Sequence, residues 1–186
     1  MRTQKIYFPV IVVPAMVTTL ILLIPFTAMY FTPEVNWTLT DFIAAGTLLF
    51  GTGLIFKLIT KSSEGIIYKI AVGFALLTGL FLIWSNLAVG IIGSENNAIN
   101  LLYFGVIAVG IIGSIIAGFR AKAMAVTLWA MAVAHALITA TALYTGMDQL
   151  PGSSVFEILG VNGLFIKLFL AGGFLFRYAD KKISEM

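Results

Sequence analysis

The sequence predicts an all-α, polytopic membrane bundle of six transmembrane helices with both termini on the cytoplasmic side. Three observations lead there. First, 60% of the 186 residues are hydrophobic and 10% are charged, with a mean hydropathy of +1.05. That leaves too little polar surface for a water-soluble domain of this size. Second, six apolar segments, near 6–31, 41–60, 66–92, 98–119, 121–145 and 155–178, each approach or exceed the roughly 20 residues a helix needs to cross a bilayer. With their short connections they make one transmembrane domain over residues 1–186. Third, none of the eleven Lys and Arg residues lies in the connections at 32–40, 93–97 or 146–154, and ten lie at the opposite ends of the segments. Cytoplasmic loops retain Lys and Arg, so this partition places both termini inside and requires an even number of spans. Open sheet edges cannot be satisfied in lipid, and the runs lack the alternation of a membrane barrel.

The first segment follows MRTQK and superficially resembles a signal peptide. It runs well past the roughly 7 to 15 apolar residues of such a peptide, and no A-x-A site follows, so it reads as a retained span. Pro9, Pro14 and Pro25 remove backbone donors within it and are expected to curve it. The second, fourth and sixth segments each open with a capping signature: Thr38 to Asp41, Ser94 with Asn97, and Ser154 to Glu157. Side-chain oxygens there satisfy free helical N–H groups, and carboxylates favour the positive end of the helix dipole. Lys57, Lys61, Arg120, Arg177, Lys181 and Lys182 lie near the opposite ends of the same helices, where cations are favoured. The fourth and fifth segments are separated only by Arg120, Ala121 and Lys122, which predicts a tight hairpin. Gly110, Ser114 and Gly118 on the fourth, facing Ala132, Ala136 and Ala140 on the fifth, predict a close helix approach. The heptapeptide AVGIIGS occurs at 88–94 and again at 108–114. A shift of 20 residues does not relate two halves of a transporter, so shared packing chemistry is the better reading.

Composition excludes several functions. With no cysteine there is no thiolate nucleophile, iron–sulfur cluster or zinc–thiolate site. The cations form no basic stripe interleaved with aromatics, so nucleic acid is not a partner. No HExxH, GxSxG or paired intramembrane carboxylate anchors catalysis. A lone histidine builds no multi-histidine metal site, although with a carboxylate it could relay protons or help hold one ion; the sequence leaves the cofactor unknown.

Polar side chains concentrate between Trp84 and Tyr103. Asn97, Asn100 and Tyr103 form a column at three-residue spacing, and an unpaired amide at Asn86 would be costly in hydrocarbon. Asp41, His135 and Asn162 lie on other spans. Turned inward, these residues would line a cavity whose rim, Asp41, Glu95 and Glu157, attracts a cation or small polar solute. The competing reading makes the acids helix caps and the amides interhelical hydrogen bonds. Lys167 stands apart. At about 1.5 Å per residue it lies about 18 Å from Val155 and about 15 Å from Arg177, near mid-bilayer. A central Lys costs about 2.5 to 3.5 kcal/mol on insertion scales, so it needs a partner or water. Gly160, Gly163 and Ala171 share nearly the same face, which is expected to turn Lys167 toward another helix. No carboxylate is expected at that depth.

The segments DFIAAGTLLFGTGL (41–54), NLAVGIIGSENNAINLLYFGVIAVGIIGS (86–114) and EILGVNGLF (157–165), about a third of the chain, resemble in sequence and order a widespread bacterial family of small integral membrane proteins described as hypothetical. The resemblance implies a bacterial cytoplasmic membrane and brings no activity, substrate, cofactor or site residues. The leading functional expectation is therefore a channel, transporter or sensor with an outward polar cavity, surrounded by lipid and assembled as a homo-oligomer. The alternative is a non-transport subunit or scaffold packing against another membrane protein through small-residue faces. The topology is directly testable. In intact cells an impermeant maleimide should label Asn96→Cys and spare Lys122→Cys until the membrane is opened; the reverse pattern would invert the assignment.

Overall fold

Each apolar segment forms one helix, and all six are long and apolar enough to cross a membrane: α1 (Gln4–Phe31), α2 (Leu39–Thr60), α3 (Ile66–Ala88), α4 (Leu102–Ala117), α5 (Ala121–Tyr144) and α6 (Val155–Ser184). This computed structural model describes residues 4–61, 65–150 and 153–185, which form no strand. Arg2, one of the cations used in the topology argument, lies outside the described residues. The protein is an all-α, multi-pass membrane protein. Its chain divides into two compact units, Met1–Ser62 and Ser63–Met186.

In the first unit α1 packs against α2. α1 remains one helix through its three prolines. Gly53 of α2 lets the two backbones approach, since a Cβ there would lie 3.1 Å from Cβ of Pro14. At the connection, Phe42 takes edge-on contacts from Phe26 and Trp37, with ring centroids 6.3 and 5.2 Å apart.

The second unit is a four-helix bundle. α6 packs against α5 and α3, and α4 packs against α5 and more lightly against α3, so each helix neighbours its antiparallel sequence partner. Phe165, Phe169 and Phe176 of α6 fill its centre with Leu82, Val106 and Ile158, all essentially inaccessible. Lipid is as apolar as these side chains, so association rests on close packing and hydrogen bonds. A Cβ on Gly113 would lie 2.6 Å from Cγ2 of Thr127, and one on Gly110 would lie 2.8 Å from Sδ of Met131. At Gly173 it would collide with the Trp129 indole.

The α4–α5 approach differs in detail from the expected rows. The contact row is Tyr103, Val106, Gly110, Gly113 and Ala117, while Ser114 is only half-buried and Gly118 is exposed. On α5, Ala132 is buried but Ala136 is exposed. The reason is helical phase. A strict every-fourth-residue row drifts about 40° per step, whereas alternating steps of three and four stay on the facing side.

Two helix ends also differ from the expected ones: α6 runs on to Ser184 instead of stopping near residue 178, and α3 stops short. α3 stops at Ala88 instead of running to residue 92, because Gly90 (φ 78°) and Gly93 (φ 67°) fold residues 89–97 into a loop that buries Ile91 and Ile92. A Cβ at Gly90 would lie 2.7 Å from Ser94 O and Asn100 Nδ2 as well as being strained. α4 begins as a 3-10 turn, Ala98–Leu101, and ends at Gly118 in the left-handed region.

The α4–α5 hairpin holds a rarer feature. Phe119 has φ 56°, an unfavourable conformation for a bulky L-residue. Its carbonyl accepts a 2.5 Å hydrogen bond from the Tyr68 hydroxyl of α3. The Tyr68 ring meets Phe176 edge-on, with centroids 5.7 Å apart. α3, α6 and the hairpin are thus tied at one end. Phe119→Gly should relieve the strain and raise unfolding stability by about 1 kcal/mol, read by thermal or denaturant unfolding in bicelles. Gly113→Leu should do the opposite and force α4 from α5.

Candidate functional site

The polar residues of the second unit gather toward the end where the 89–97 loop joins α3 to α4. Asn100 is their node. Its Oδ1 accepts from the backbone N–H groups of Ile91 (3.1 Å) and Ile92 (3.0 Å). Its Nδ2 donates to the carbonyls of Ile92 (3.2 Å) and Ser94 (2.8 Å). One amide thereby satisfies four backbone groups of a loop that has no ladder of its own. The Asn100 carbonyl in turn accepts from Nδ2 of buried Asn86, 3.1 Å away. Asn97 caps the 3-10 turn by accepting from Ile99 N, and donates to Ile92 O.

Deeper in the bundle, the Tyr103 hydroxyl donates to Oδ1 of Asn162 at 2.6 Å, and Asn162 Nδ2 donates to Ile158 O at 2.8 Å. This ties α4 to α6. Tyr103 is also the wall on which the His135 ring packs, 4.9 Å between centroids, with Phe165 and Phe169 at 5.6 and 6.1 Å. His135 is fully inaccessible. Neither of its ring nitrogens has a hydrogen bond of acceptable geometry, although the Asn162 side chain is close enough to interact with the ring. Oδ1 of Asn86 is likewise buried without a partner. Thr139 donates to the His135 carbonyl, as expected of a threonine within a helix.

The acids lie apart from this cluster in chemistry. Asp41, in the first unit, closes a capping box: its Oδ2 accepts from Thr38 N at 2.7 Å, while Thr38 Oγ1 accepts from Asp41 N. Glu157 is exposed, and its N–H donates to Ser154 Oγ, the cap of α6. Glu95 is exposed and accepts from Asn96 Nδ2. Among the described residues no group of three or more His, Asp or Glu is placed to hold a metal ion.

Lys167 lies opposite to its expected direction. It is exposed, with no hydrogen bond or ion pair among the described residues. Gly160 and Ala171 are exposed too, and a Cβ on Gly160 or Gly163 would meet nothing within 4 Å. The face of α6 turned into the bundle is instead Ile158, Asn162, Phe165, Phe169, Gly172 and Phe176. Lys167 follows Phe165 by two residues, about 200° around the helix, so burying the phenylalanines sends the lysine outward.

Sequence reasoning missed three features. Gly172 and Gly173 of α6 leave room for Leu128 and Trp129 of α5, and the Gly–Gly pair within a span was the available signal. Trp129 Nε1 is buried without a partner beside them. In the first unit, a largely apolar hollow of about 250 Å³ lies between α1 and α2, lined by Val13, Pro14, Thr18, Leu49 and Gly53, with Lys57 at its edge. Thr18 Oγ1 is buried there without a partner.

The chain matches no protein-family model, no curated protein and no solved structure. Chemically, the cluster fastens the 89–97 loop to α3 and α4 to α6, and it leaves three buried polar atoms without a hydrogen bond: both His135 ring nitrogens and Asn86 Oδ1. Asn100→Ala should cost about 2 to 4 kcal/mol by stranding four backbone groups, and Tyr103→Phe about 1 to 2 kcal/mol by stranding Asn162 Oδ1. Glu95→Gln should be neutral; unfolding in bicelles ranks the three.

Proposed function

We propose that the protein is a non-transport subunit or scaffold of a membrane complex, held in the bacterial cytoplasmic membrane with both termini inside. One observation carries this reading: most of the polar side chains that would line a solute pathway are engaged within the protein. Asn100 uses both ends of its amide on the 89–97 loop. Tyr103 and Asn162 bond one another, and Asp41 is engaged in its helix cap. A conducting lumen needs such atoms turned toward water or the passing solute. Interhelical amides and hydroxyls otherwise serve to hold a bundle together in lipid.

A second reading has its own support. The two His135 nitrogens and Asn86 Oδ1 are buried without partners, and buried polar atoms in that state commonly hold a water or a small polar guest. That favours the channel, transporter or sensor alternative, with the guest seated against Tyr103, His135 and Asn162.

Flux separates the two. Liposomes containing the purified protein should leak monovalent cations and small polar solutes no faster than empty ones. Flux above that background, abolished by Asn162→Leu or His135→Phe in a protein that remains folded, would overturn the subunit reading in favour of the second.

A further inference from the structure

We propose that the Lys167 face of α6 is a docking surface for a transmembrane helix of a different membrane protein, one that carries a carboxylate near mid-bilayer. The proposal rests on the subunit reading and names its partner chemistry.

Depth comes first. α6 spans Val155–Ser184, and Lys167 lies about 18 Å along it from Val155 and about 15 Å from Arg177. Arg177 pairs with Asp180, and Lys182 with Glu185, on exposed side chains, which marks that end as the watered one. The flexible stem of Lys167 recovers only part of either distance by snorkelling. An ammonium at this depth costs about 2.5 to 3.5 kcal/mol unless something pairs with it.

This chain offers no such partner. Lys167 is exposed and makes no bond to any described residue. All eight acids of the sequence, Glu34, Asp41, Glu64, Glu95, Asp148, Glu157, Asp180 and Glu185, fall at span ends or in connections. A second copy therefore brings no carboxylate to this level. A twofold contact through the same face would set lysine against lysine. Charge complementarity consequently selects another protein.

Shape agrees. Gly160 and Gly163 precede Lys167 by seven and four residues, where an added Cβ would meet nothing within 4 Å, and exposed Ala171 follows by four. A visiting helix can therefore approach α6 closely, keeping a short Asp or Glu within reach of the ammonium in a medium of low dielectric.

The test uses the full-length protein in phosphatidylcholine vesicles with a synthetic leucine–alanine transmembrane helix bearing one central Glu, association being read by energy transfer. The Glu helix should associate at least tenfold more tightly than the same helix with Gln. Lys167→Gln should erase that difference, and Lys167→Glu should instead favour a helix with a central Lys. Circular dichroism checks that both variants keep their helicity. Equal association of the Glu and Gln helices with the wild-type protein would overturn the proposal. So would a Glu preference that survives Lys167→Gln, Glu-helix association that requires anionic lipid, or self-association through α6 that excludes the Glu helix. A protein that conducts nothing yet ignores the central Glu would overturn the docking chemistry alone and leave the subunit reading standing.

Discussion

Hydrocarbon accepts and donates no hydrogen bonds, and the arrangement of the second unit follows from that constraint. A loop such as 89–97, which leaves helical geometry while still burying Ile91 and Ile92, carries backbone groups into the protein interior that no helix ladder satisfies. Asn100 resolves this by pairing with four of them. The solution constrains its surroundings. Gly90 must lack a side chain because the Asn100 amide and the Ser94 carbonyl occupy the space where one would be. The tight entry to α4 then sets Tyr103 one turn further along, where its hydroxyl reaches Asn162 of α6.

Packing supplies the remainder, because lipid removes the usual driving force for burying apolar side chains. α4 and α5 meet where glycine faces Met131 and Thr127, and α5 and α6 meet where Gly173 faces Trp129. At the far end the strained Phe119 hairpin is held by Tyr68, whose ring is fixed by Phe176. Backbone strain of order 1 kcal/mol or more persists only where neighbours over-determine the geometry, and these contacts do so.

The helices and their caps were legible in the sequence because both obey local rules. Span length is set by bilayer thickness, and Thr38, Asn97 and Ser154 cap through bonds reaching only two or three residues along the chain. Helix facing was harder to read. In a soluble protein Phe165, Phe169 and Phe176 would announce an interior stripe, but lipid suits an exposed phenylalanine equally well, so apolar periodicity carries little information. Glycines near Lys167 therefore suggested the buried face, and the aromatic face displaced them. The end of α3 was hidden for a related reason. Ile91 and Ile92 are as apolar in a tucked loop as in a helix, and only the spacing of Gly90 and Gly93 signalled the break. Of the candidate residues, Tyr103, His135 and Asn162 converge, Asn86 and Asn100 join through a backbone carbonyl, and Asp41, Glu95 and Glu157 serve or flank helix termini.

Two facts then stand in contrast: the interior polar groups are largely engaged, and Lys167, midway along α6, faces away from the bundle. The first is the central claim, and water-edited solid-state NMR of the reconstituted protein tests it most directly. Polarisation transfer from water to the side chains of Asn100 and Asn162 should build up as slowly as to buried Phe165, and far more slowly than to Glu95. Build-up at Asn100 and Asn162 as fast as at Glu95 would reveal a hydrated interior and contradict the account.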